Sequence, residues 1–541
     1  MNETRQKVAL IILDGWGIGP VWGGNAISSA KKPNFDFWWR TFPKTELLAS
    51  GEAVGLPAGT GGNSETGHLN IGAGRVVPQD LPYINRQIEN GEFFKNEKIL
   101  AAFEHVKKNN SRLHIIGLAG NGIVHSCLNH LYKLLQMAKQ NGIARVCLDL
   151  FTDGRDSDPT SALSIFEKIT AETKRIGIGQ INSICGRFFA MDRDKNWGRT
   201  SRAYNSLTKG EAEVSKTVRE AISRCYLKNI NDEFIEPQTI IPEGGEKVTI
   251  DDNDAVIFFN FRPDRAKQIS QAFVGGPIKQ MPDRKILKNL YFLTFVTRDP
   301  NPLGIQAFEP VIIKNSLAEV LSQNNLTQYH SAETEKFAHV TYFFDGGNLK
   351  PFAGEKQILQ PSPKVLTYDL TPEMSAMELT SKTIAALNYN FDFLVINYAN
   401  ADMVGHCGNF SAAVQAVESV DQCLGRLIVA LSAKNYLTII TADHGNAEEM
   451  INPATGKPQT EHTANPVPFV IVSKDIHFLG IQLKFNGALC NIAPTILEIM
   501  KIEKPEEMTA ASLIAGRSGI VGSNLRKIVS NDSSISIQNN N

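Results

Sequence analysis

The stretch Val8-Ala9-Leu10-Ile11-Ile12-Leu13-Asp14-Gly15 is a short aliphatic run that stops at a carboxylate. Such a run predicts a buried strand, and it is too short for a membrane span or for the apolar region of a secretory signal. Similar β-branched or aliphatic runs recur along the chain and alternate with helical patterns. This alternation is typical of a mostly parallel sheet covered by helices, so the sequence predicts an α/β fold.

The predicted strands are all short and aliphatic. They are Val8–Leu13, Leu113–Leu118, Arg145–Phe151, Ile181–Cys185, Ala255–Phe259, Phe393–Asn397, Tyr436–Thr441 and Pro468–Val472. The segment Ser411–Leu431 has the pattern of a long amphipathic helix. From about Arg517 to Asn541 the periodicity is lost and the chain ends in Ser, Asn and Gln, so we expect a disordered tail there.

Length and composition limit the class of protein. The 541 residues exceed the usual size of one domain, and 55 basic residues nearly balance 56 acidic ones. No global charge therefore favours nucleic acid or an anionic membrane as a partner. The seven cysteines form no C-x-x-C pair, which argues against a disulfide framework and a zinc knuckle. We expect a monomeric cytoplasmic enzyme with a small-molecule substrate.

Charged or metal-binding side chains follow most of the predicted strands. An isolated Asp or Arg in such a place is usually a turn former or a solvated charge. Their coincidence predicts a ligand site, because open parallel sheets bind ligands at the carboxyl ends of their strands. The residues are Asp14; Asp153, Arg155 and Asp156; Arg187 and Arg193; Arg262 and Arg265; Asp402 and His406; and Asp443 and His444.

The acidic and histidine members of this set suggest metal chemistry. Asp402 and His406 are four residues apart, Asp443 and His444 are adjacent, and His462 offers a further nitrogen. A lone histidine is more often a satisfied core or surface residue. Several histidines near aspartates instead favour a two-metal site for phosphoryl displacement, with oxygen and nitrogen ligands that suit manganese or zinc. The spacing of zinc proteases is absent.

A candidate nucleophile lies in Gly61-Gly62-Asn63-Ser64-Glu65-Thr66-Gly67-His68, where small residues allow close backbone approach. Ser64 at the start of a helix could also be a plain N-cap. The segment misses both the capping box and the G-x-S-x-G elbow. Activation of Ser64 by metal coordination is the remaining alternative.

Basic side chains form a third group, and the guanidinium fork matches phosphate and carboxylate groups. Any single arginine is more often a surface ion-pair partner, but a substrate that carries both anions would use several. The group comprises Arg155, Arg187, Arg193, Arg262, Arg265 and Lys336. Hydride transfer and nucleotide hydrolysis are disfavoured, because Pro20 replaces the last glycine of a dinucleotide loop at Gly15–Pro20 and no Walker A motif occurs.

Together these residues resemble the cofactor-independent phosphoglycerate mutases of the alkaline phosphatase superfamily. The resemblance spans about residues 7–515, and the order of its long motifs makes it specific. The motifs are ILDG (12–15), GNSETGHLNIGAGR (62–75), DGRD (153–156), GRFFAMDRDKNW (186–197), FNFRPDRAKQI (259–269), AETEKFAHVTYFFDGG (332–347), DMVGH (402–406), TADHGNAE (441–448) and HTANPVPF (462–469).

The resemblance implies two divalent metal ions, with Mn²⁺ expected and Zn²⁺ or Co²⁺ as alternatives, and no need for 2,3-bisphosphoglycerate. The implied ligands of one ion are Asp14, Ser64, Asp443 and His444, and those of the other are Asp402, His406 and His462. The implied substrate-binding residues are His125, Arg155, Asp156, Arg187, Arg193, Arg262, Arg265 and Lys336.

The implied reaction interconverts 2- and 3-phosphoglycerate in glycolysis and gluconeogenesis. Ser64 takes the phosphoryl group, glycerate reorients in a closed cleft, and its other hydroxyl takes the group back. Asp156 is the candidate general base, and Lys336 with the metals would stabilise the transferring oxygens. A phosphatase or phosphopentomutase is the alternative enzyme, although the arginines speak against it. A catalytically silent binding protein is the alternative outside enzymes.

The resemblance also implies an alkaline-phosphatase-like sheet domain, formed by residues 1–77 and 311–515. Residues 78–310 would be an inserted second α/β domain that binds substrate, and residues 516–541 a tail. Hinges are expected near Pro78 and Pro310. The chain departs from the family mainly at Ala119–Cys127, where the family reads SDGGVHSH, and also at Ala401 and Asn491.

Overall fold

The computed structural model describes residues 5–296, 302–309 and 313–517. The chain divides into two compact units. Unit 1 comprises Met1–Gln79 and Ile312–Asn541, and unit 2 comprises Asp80–Val311. The domain breaks proposed from the sequence fall after residues 77 and 310. The hinge expected at Pro310 lies outside the described residues.

Both units contain short β-strands. In chain order they are β1 Lys7–Leu13, β2 Lys44–Leu48, β3 Leu113–Ala119, β4 Val146–Thr152, β5 Gln180–Gly186, β6 Glu213–Ser215, β7 Gln238–Ile240, β8 Ala255–Phe258, β9 Tyr291–Thr294, β10 Ile305–Gln306, β11 Gln328–Glu333, β12 Glu355–Gln360, β13 Phe393–Tyr398, β14 Tyr436–Thr441, β15 Val467–Val472, β16 Ile481–Leu483, β17 Gly487–Ala488 and β18 Ile514–Arg517.

The α-helices cover the faces of the sheets. They are α1 Ala26–Ser29, α2 Pro33–Thr41, α3 Ser64–Ala73, α4 Asp80–Glu89, α5 Glu97–Asn109, α6 Leu128–Gln140, α7 Ala162–Ile176, α8 Arg187–Ala190, α9 Trp197–Lys209, α10 Val218–Leu227, α11 Lys267–Val274, α12 Leu317–Gln323, α13 Ala376–Ala386, α14 Asn400–Gly405, α15 Phe410–Ala433, α16 Ile476–Leu479 and α17 Ile492–Ile499. By the criterion of length and apolarity, no helix in the described ranges qualifies as a membrane span.

Unit 1 is built on an eight-stranded sheet in the order β12-β11-β13-β1-β14-β15-β2-β17. The five strands from β12 to β14 are parallel, and β15 is antiparallel to both of its neighbours. The middle strands β13, β1 and β14 are almost wholly buried, which explains their continuous aliphatic sequences. Parallel neighbours present their carboxyl ends at one edge, where Asp14 and Asp443 follow their strands.

Unit 2 is built on a second eight-stranded sheet in the order β10-β9-β8-β3-β4-β5-β7-β6. The six strands from β10 to β5 are parallel, and β7 is antiparallel to β5. The mostly parallel α/β class predicted from the sequence is therefore confirmed for both sheets.

Each strand predicted from the sequence is present, with small shifts at the ends, and the long predicted helix is α15. The prediction that residues 516–541 form a disordered tail is wrong at its start. The last two residues of β18, Gly516 and Arg517, pair with Gln482 and Ile481 of β16 in a small antiparallel sheet. The rest of that predicted tail, residues 518–541, lies outside the described residues.

Candidate metal and substrate sites

Loops after the parallel strands of unit 1 bring the predicted metal-binding residues together. Asp14 follows β1, Asp402 lies in α14 after β13, and Asp443 and His444 follow β14. Lys336 ends a short 3₁₀ turn, Thr334–Lys336, directly after β11. All five side chains are buried.

Ser64 is the first residue of α3. The helix cap is Asn63, whose side-chain oxygen accepts the Thr66 amide at 2.9 Å. The N-cap alternative for Ser64 is therefore excluded, and its hydroxyl is free for other contacts. Ser64 Oγ lies 3.2 Å from Asp14 Oδ1 and 2.9 Å from His444 Nε2.

The first candidate metal group contains Asp14, Asp443 and His444, whose potential ligand atoms lie within 4.8 Å of one another. All three residues are fully buried. Asp443 Oδ2 accepts no hydrogen bond from any residue in the described ranges. His68 Nδ1 lies 3.3 Å from this oxygen, but a buried carboxylate oxygen that accepts no hydrogen bond is costly, and a metal cation would satisfy it. This donor set of oxygen and nitrogen atoms, with Ser64 Oγ beside it, fits a divalent metal ion.

The second candidate group contains Asp402, His406 and His462. His462 Nε2 and His406 Nε2 lie 3.2 and 3.3 Å from Asp402 Oδ1 and 3.0 Å from each other. Each ring has its Nδ1 at a backbone carbonyl, 2.7 Å from Thr460 O for His406 and 2.8 Å from Gly62 O for His462. Nδ1–H donation to a carbonyl leaves Nε2 as a lone-pair donor, which is the usual arrangement of metal-binding histidines.

Lys336 lies between the two groups. Its ammonium donates to Asp14 Oδ1 and Asp402 Oδ2, both at 2.6 Å, and to Ser64 Oγ at 2.7 Å. Burial alone would lower the pKa of Lys336, but the two carboxylates outweigh burial and hold that pKa above its ordinary value. Burial would likewise raise the pKa of Asp14, and Lys336 instead holds it far below the usual range. Lys336, which the sequence grouped with the arginines, therefore belongs to the site in unit 1.

Glycines of the sequence motifs permit this crowding. Gly15 has φ +72°, and a Cβ there would lie 2.7 Å from Asp402 Cα. A Cβ on Gly67 would lie 2.7 Å from the Asp443 carbonyl oxygen. Both distances are below van der Waals contact, so a side chain at either position would push the candidate ligands apart.

Two supporting asparagines were missed by the sequence reasoning. Asn397 donates to Asp14 Oδ2 at 2.7 Å, and Asn446 donates to Asp402 Oδ1 at 2.8 Å. Both side chains are buried and orient a candidate ligand. The available signal was an amide at the end of an otherwise apolar strand for Asn397, and a place inside the TADHGNAE motif for Asn446.

In unit 2, the predicted substrate residues lie at the carboxyl ends of β3, β4, β5 and β8. Arg187 is almost completely buried and contacts Asp153 Oδ1 at 2.6 Å and Asp156 Oδ2 at 2.5 Å. Asp156 also lies 3.7 Å from His125 Nε2. Burial first, and then the Arg187 charge, lower the pKa of His125 to about 4, so His125 is neutral near pH 7.

Two of the predicted arginines, Arg193 and Arg262, share Asp264, a residue that the sequence reasoning did not select although it lies in the FNFRPDRAKQI motif. Asp264 pairs with Arg193 at 2.8 Å and with Arg262 at 3.2 Å, and both guanidinium side chains are about half exposed. Their exposed donors are available to an anion from solvent.

Arg265 shows how closely the basic groups are gathered. Burial, followed by the charges of Arg193, Arg187 and Arg155, lowers the pKa of Arg265. Mutual repulsion of this kind indicates a positively charged site. An anionic ligand bound there would reduce the repulsion among the arginines. Arg155 is half exposed and lies 3.7 Å from Glu233 Oε1, so it is only loosely held.

The loop that departs from the family pattern keeps His125 in place. Ile123 has φ +43°, a left-handed conformation that is strained for a β-branched residue. The strain is confined to this residue. His125 and Ser126, which follow in the loop, are both buried, and Ser126 Oγ donates to Leu118 O at 2.6 Å.

Comparisons with known proteins agree on one family. A family model described as the metalloenzyme superfamily matches residues 6–504. A 2,3-bisphosphoglycerate-independent phosphoglycerate mutase of Thermomicrobium roseum is 47% identical over 520 residues, which cover 95% of this chain and 99% of that protein. The 2,3-bisphosphoglycerate-independent phosphoglycerate mutase 1 of Methanosarcina barkeri is 48% identical over 517 residues, which cover 95% of this chain and 99% of that protein.

A solved structure agrees with these relatives. Leishmania mexicana phosphoglycerate mutase, crystallised at low cobalt concentration, has a TM-score of 0.67 and is 30% identical. The match covers 95% of this chain and 98% of that one.

Proposed function

This chain belongs to the family of 2,3-bisphosphoglycerate-independent phosphoglycerate mutases, and from that premise we propose that it interconverts 2- and 3-phosphoglycerate through a phosphoserine on Ser64. The observation that carries this proposal is the position of Ser64 Oγ, which contacts Asp14, His444 and Lys336 within 3.2 Å. A buried hydroxyl at the edge of a metal-binding group, beside a lysine ammonium, suits nucleophilic attack on phosphorus.

We propose that the chain binds two divalent metal ions and that both are Mn²⁺. When bound, such ions lower the pKa of a coordinated hydroxyl and neutralise phosphoryl oxygens. Asp14, Ser64, Asp443 and His444 would hold one ion. Asp402, His406 and His462 would hold the other.

In the first phosphoryl transfer, different side chains of unit 1 have different roles. Ser64 Oγ attacks the phosphoryl group in line with the leaving hydroxyl. The ammonium group of Lys336 lies 2.7 Å from Ser64 Oγ, where it can stabilise the negative charge on the equatorial oxygens of the phosphoryl group during the transfer. Asn63 keeps the nucleophile at the start of α3, because its cap fixes the first turn.

The second transfer needs a base and a grip on glycerate, which the residues of unit 2 would supply. Asp156 takes the proton of the attacking hydroxyl, and Arg187 holds its carboxylate in one orientation at 2.5 Å. The exposed forks of Arg193 and Arg262 bind the carboxylate or phosphate of the substrate. A bound bisphosphoglycerate is unnecessary, since the phosphoryl group returns from Ser64 to the same substrate.

An assay of the full chain with 3-phosphoglycerate and Mn²⁺ tests this function directly. We expect 2-phosphoglycerate to form in the absence of 2,3-bisphosphoglycerate, and added bisphosphoglycerate to leave the rate unchanged. A strict requirement for bisphosphoglycerate would refute the proposal. We further propose that the enzyme is a cytoplasmic monomer whose partners are small molecules, without nucleic acid or membrane.

Arg262→Ala separates a mutase from a phosphatase, because only the mutase must retain glycerate after the first transfer. Loss of one charge-assisted contact of about 1.5–3 kcal/mol should lower mutase efficiency by at least about tenfold. The ratio of released inorganic phosphate to isomerised product should rise as glycerate escapes and water reaches phosphoserine. A paired assay of both products on each protein gives that ratio.

The matched control is Arg219→Ala, which removes an exposed arginine that pairs with Glu167 on the helices of unit 2. It should leave both products unchanged. Near-normal turnover and an unaltered ratio in Arg262→Ala would make Arg262 an ordinary surface charge.

A further inference from the structure

Glu448 is a buried carboxylate of unit 1 that takes no direct part in the proposed reaction. It lies in the short 3₁₀ turn Ala447–Glu449, which follows the two candidate ligands after β14. The residue is only 1% exposed. A buried charge is costly unless hydrogen bonds satisfy it, so the surroundings of this carboxylate require an explanation.

Four uncharged donors from three loops meet the Glu448 carboxylate. Glu448 Oε2 accepts the main-chain amides of Gly17 at 3.1 Å and Asn446 at 2.8 Å. Glu448 Oε1 accepts the Thr463 hydroxyl and, at 2.9 Å, the side-chain amide of Asn465. One side chain therefore joins the loop after β1, the loop after β14 and the loop before β15.

Two glycines leave room for the carboxylate. A Cβ on Gly17 or on Gly445 would overlap the Glu448 carboxyl group. Gly445 also forms an antiparallel bridge with Thr463, whose amide donates to Gly445 O at 3.0 Å. The three loops are thus packed closely around one charge, and a movement of any of them would break hydrogen bonds to Glu448.

Two of these loops act on the second candidate metal group. Thr463 directly follows His462, whose Nδ1 lies 2.8 Å from Gly62 O. Asn446 donates its side-chain amide to Asp402 Oδ1 at 2.8 Å, and that oxygen lies 3.2 Å from His462 Nε2. Through these neighbours, Glu448 influences the positions of two of the three candidate ligands.

We propose that Glu448 is a positioning residue for the second metal group. Its charge fixes Thr463 and Asn446, so that His462 and Asp402 stand where they can share one ion. The inference rests on the proposed function, because it requires this group to bind a metal. Hydrogen bonds behind the ligands fix ligand orientation, and their loss typically weakens metal binding by about 10–100-fold.

Glu448→Gln tests the role of the charge with little change in side-chain volume. The Gly17 and Asn446 main-chain amides can only donate, so the glutamine oxygen must face them. The NH₂ group of the new side chain then faces the Thr463 hydroxyl and the Asn465 amide, and these donors must turn away. Because this change releases the loop that carries His462, we expect the Mn²⁺ dissociation constant of the second group to rise at least about tenfold.

Calorimetric titration of the metal-free full chain with Mn²⁺ measures this constant. Asp443→Asn is the background, because it removes one charge from the first group and leaves the second group as the tighter site. The comparison is between Asp443→Asn and Asp443→Asn/Glu448→Gln. Equal constants in these two proteins would overturn this inference alone. A parent chain that does not bind two ions would refute the metal assignment itself, and this inference with it.

Asp421→Asn is the matched control for a loss of stability alone. Asp421 is another buried carboxylate with uncharged donors, the main-chain amides of Asn34 and Phe35, and it joins α2 to α15, which carry no candidate ligand. Its variant should lower the thermal midpoint of the metal-free chain and leave the Mn²⁺ dissociation constant unchanged. The same behaviour in Glu448→Gln would show a purely structural role and overturn the inference.

If Glu448→Gln does not fold, a pair of variants at Thr463 decides the question. Thr463→Val keeps the shape of the side chain but removes the hydroxyl that donates to Glu448, so it should weaken Mn²⁺ binding by the second group. Thr463→Ser keeps the hydroxyl and should retain the parent constant. Equal constants in the two Thr463 variants would contradict the role assigned to Glu448.

Discussion

Ser64→Ala is expected to lower phosphoglycerate mutase turnover by at least about a thousandfold while the protein stays folded. The remaining groups stabilise a transfer that then has no acceptor. The fold should survive because the Asn63 cap on α3 does not involve the Ser64 hydroxyl. Steady-state kinetics and circular dichroism on the parent and the variant measure both quantities.

The control is Ser381→Ala, which removes an exposed hydroxyl that donates to Met377 O within α13 and accepts from Arg426 on α15, away from the candidate metal groups. Its turnover should equal that of the parent. Substantial turnover in Ser64→Ala would show that the phosphoryl group does not pass through this residue.

Metal removal is the second change with a large expected effect. Chelation should abolish turnover and lower the thermal midpoint, because Asp14, Asp402 and Asp443 are buried together and repel one another. Added Mn²⁺ should restore both. Metal-dependent turnover should also weaken in mildly acidic solution, because His406, His444 and His462 must be neutral to bind a metal and protons compete with it.

The same buffer without the chelator, adjusted to equal ionic strength, serves as the control for nonspecific salt effects. Turnover that persists after exhaustive chelation, with metal analysis confirming an ion-free protein, would contradict the two-metal assignment.

The strands in the middle of each sheet could be predicted from sequence because burial on both faces requires aliphatic residues throughout. β11, Gln328–Glu333, was missed because most of its buried residues are polar. Its side chains are satisfied by tertiary contacts, such as Gln328 with Ala318 and His330 with Val340. No local pattern encodes those partners.

The candidate site was predicted by position, since residues after parallel strands converge at one edge. That logic found Asp14, Asp443 and His444 without structural information. It could not assign Lys336, whose contact with Asp14 spans 322 residues of sequence and depends on strand order. Strand order places β11 and β1 on either side of β13, which no single-strand pattern indicates.

The covalent intermediate is the most direct test of the central claim. The full chain with Mn²⁺ is mixed with 3-phosphoglycerate, quenched within one turnover, digested and analysed by mass spectrometry under conditions that preserve phosphohistidine. We predict phosphate on Ser64, which disappears in Ser64→Ala. Phosphate on a histidine, or no phosphoprotein at all during rapid turnover, would contradict the proposed phosphoserine mechanism.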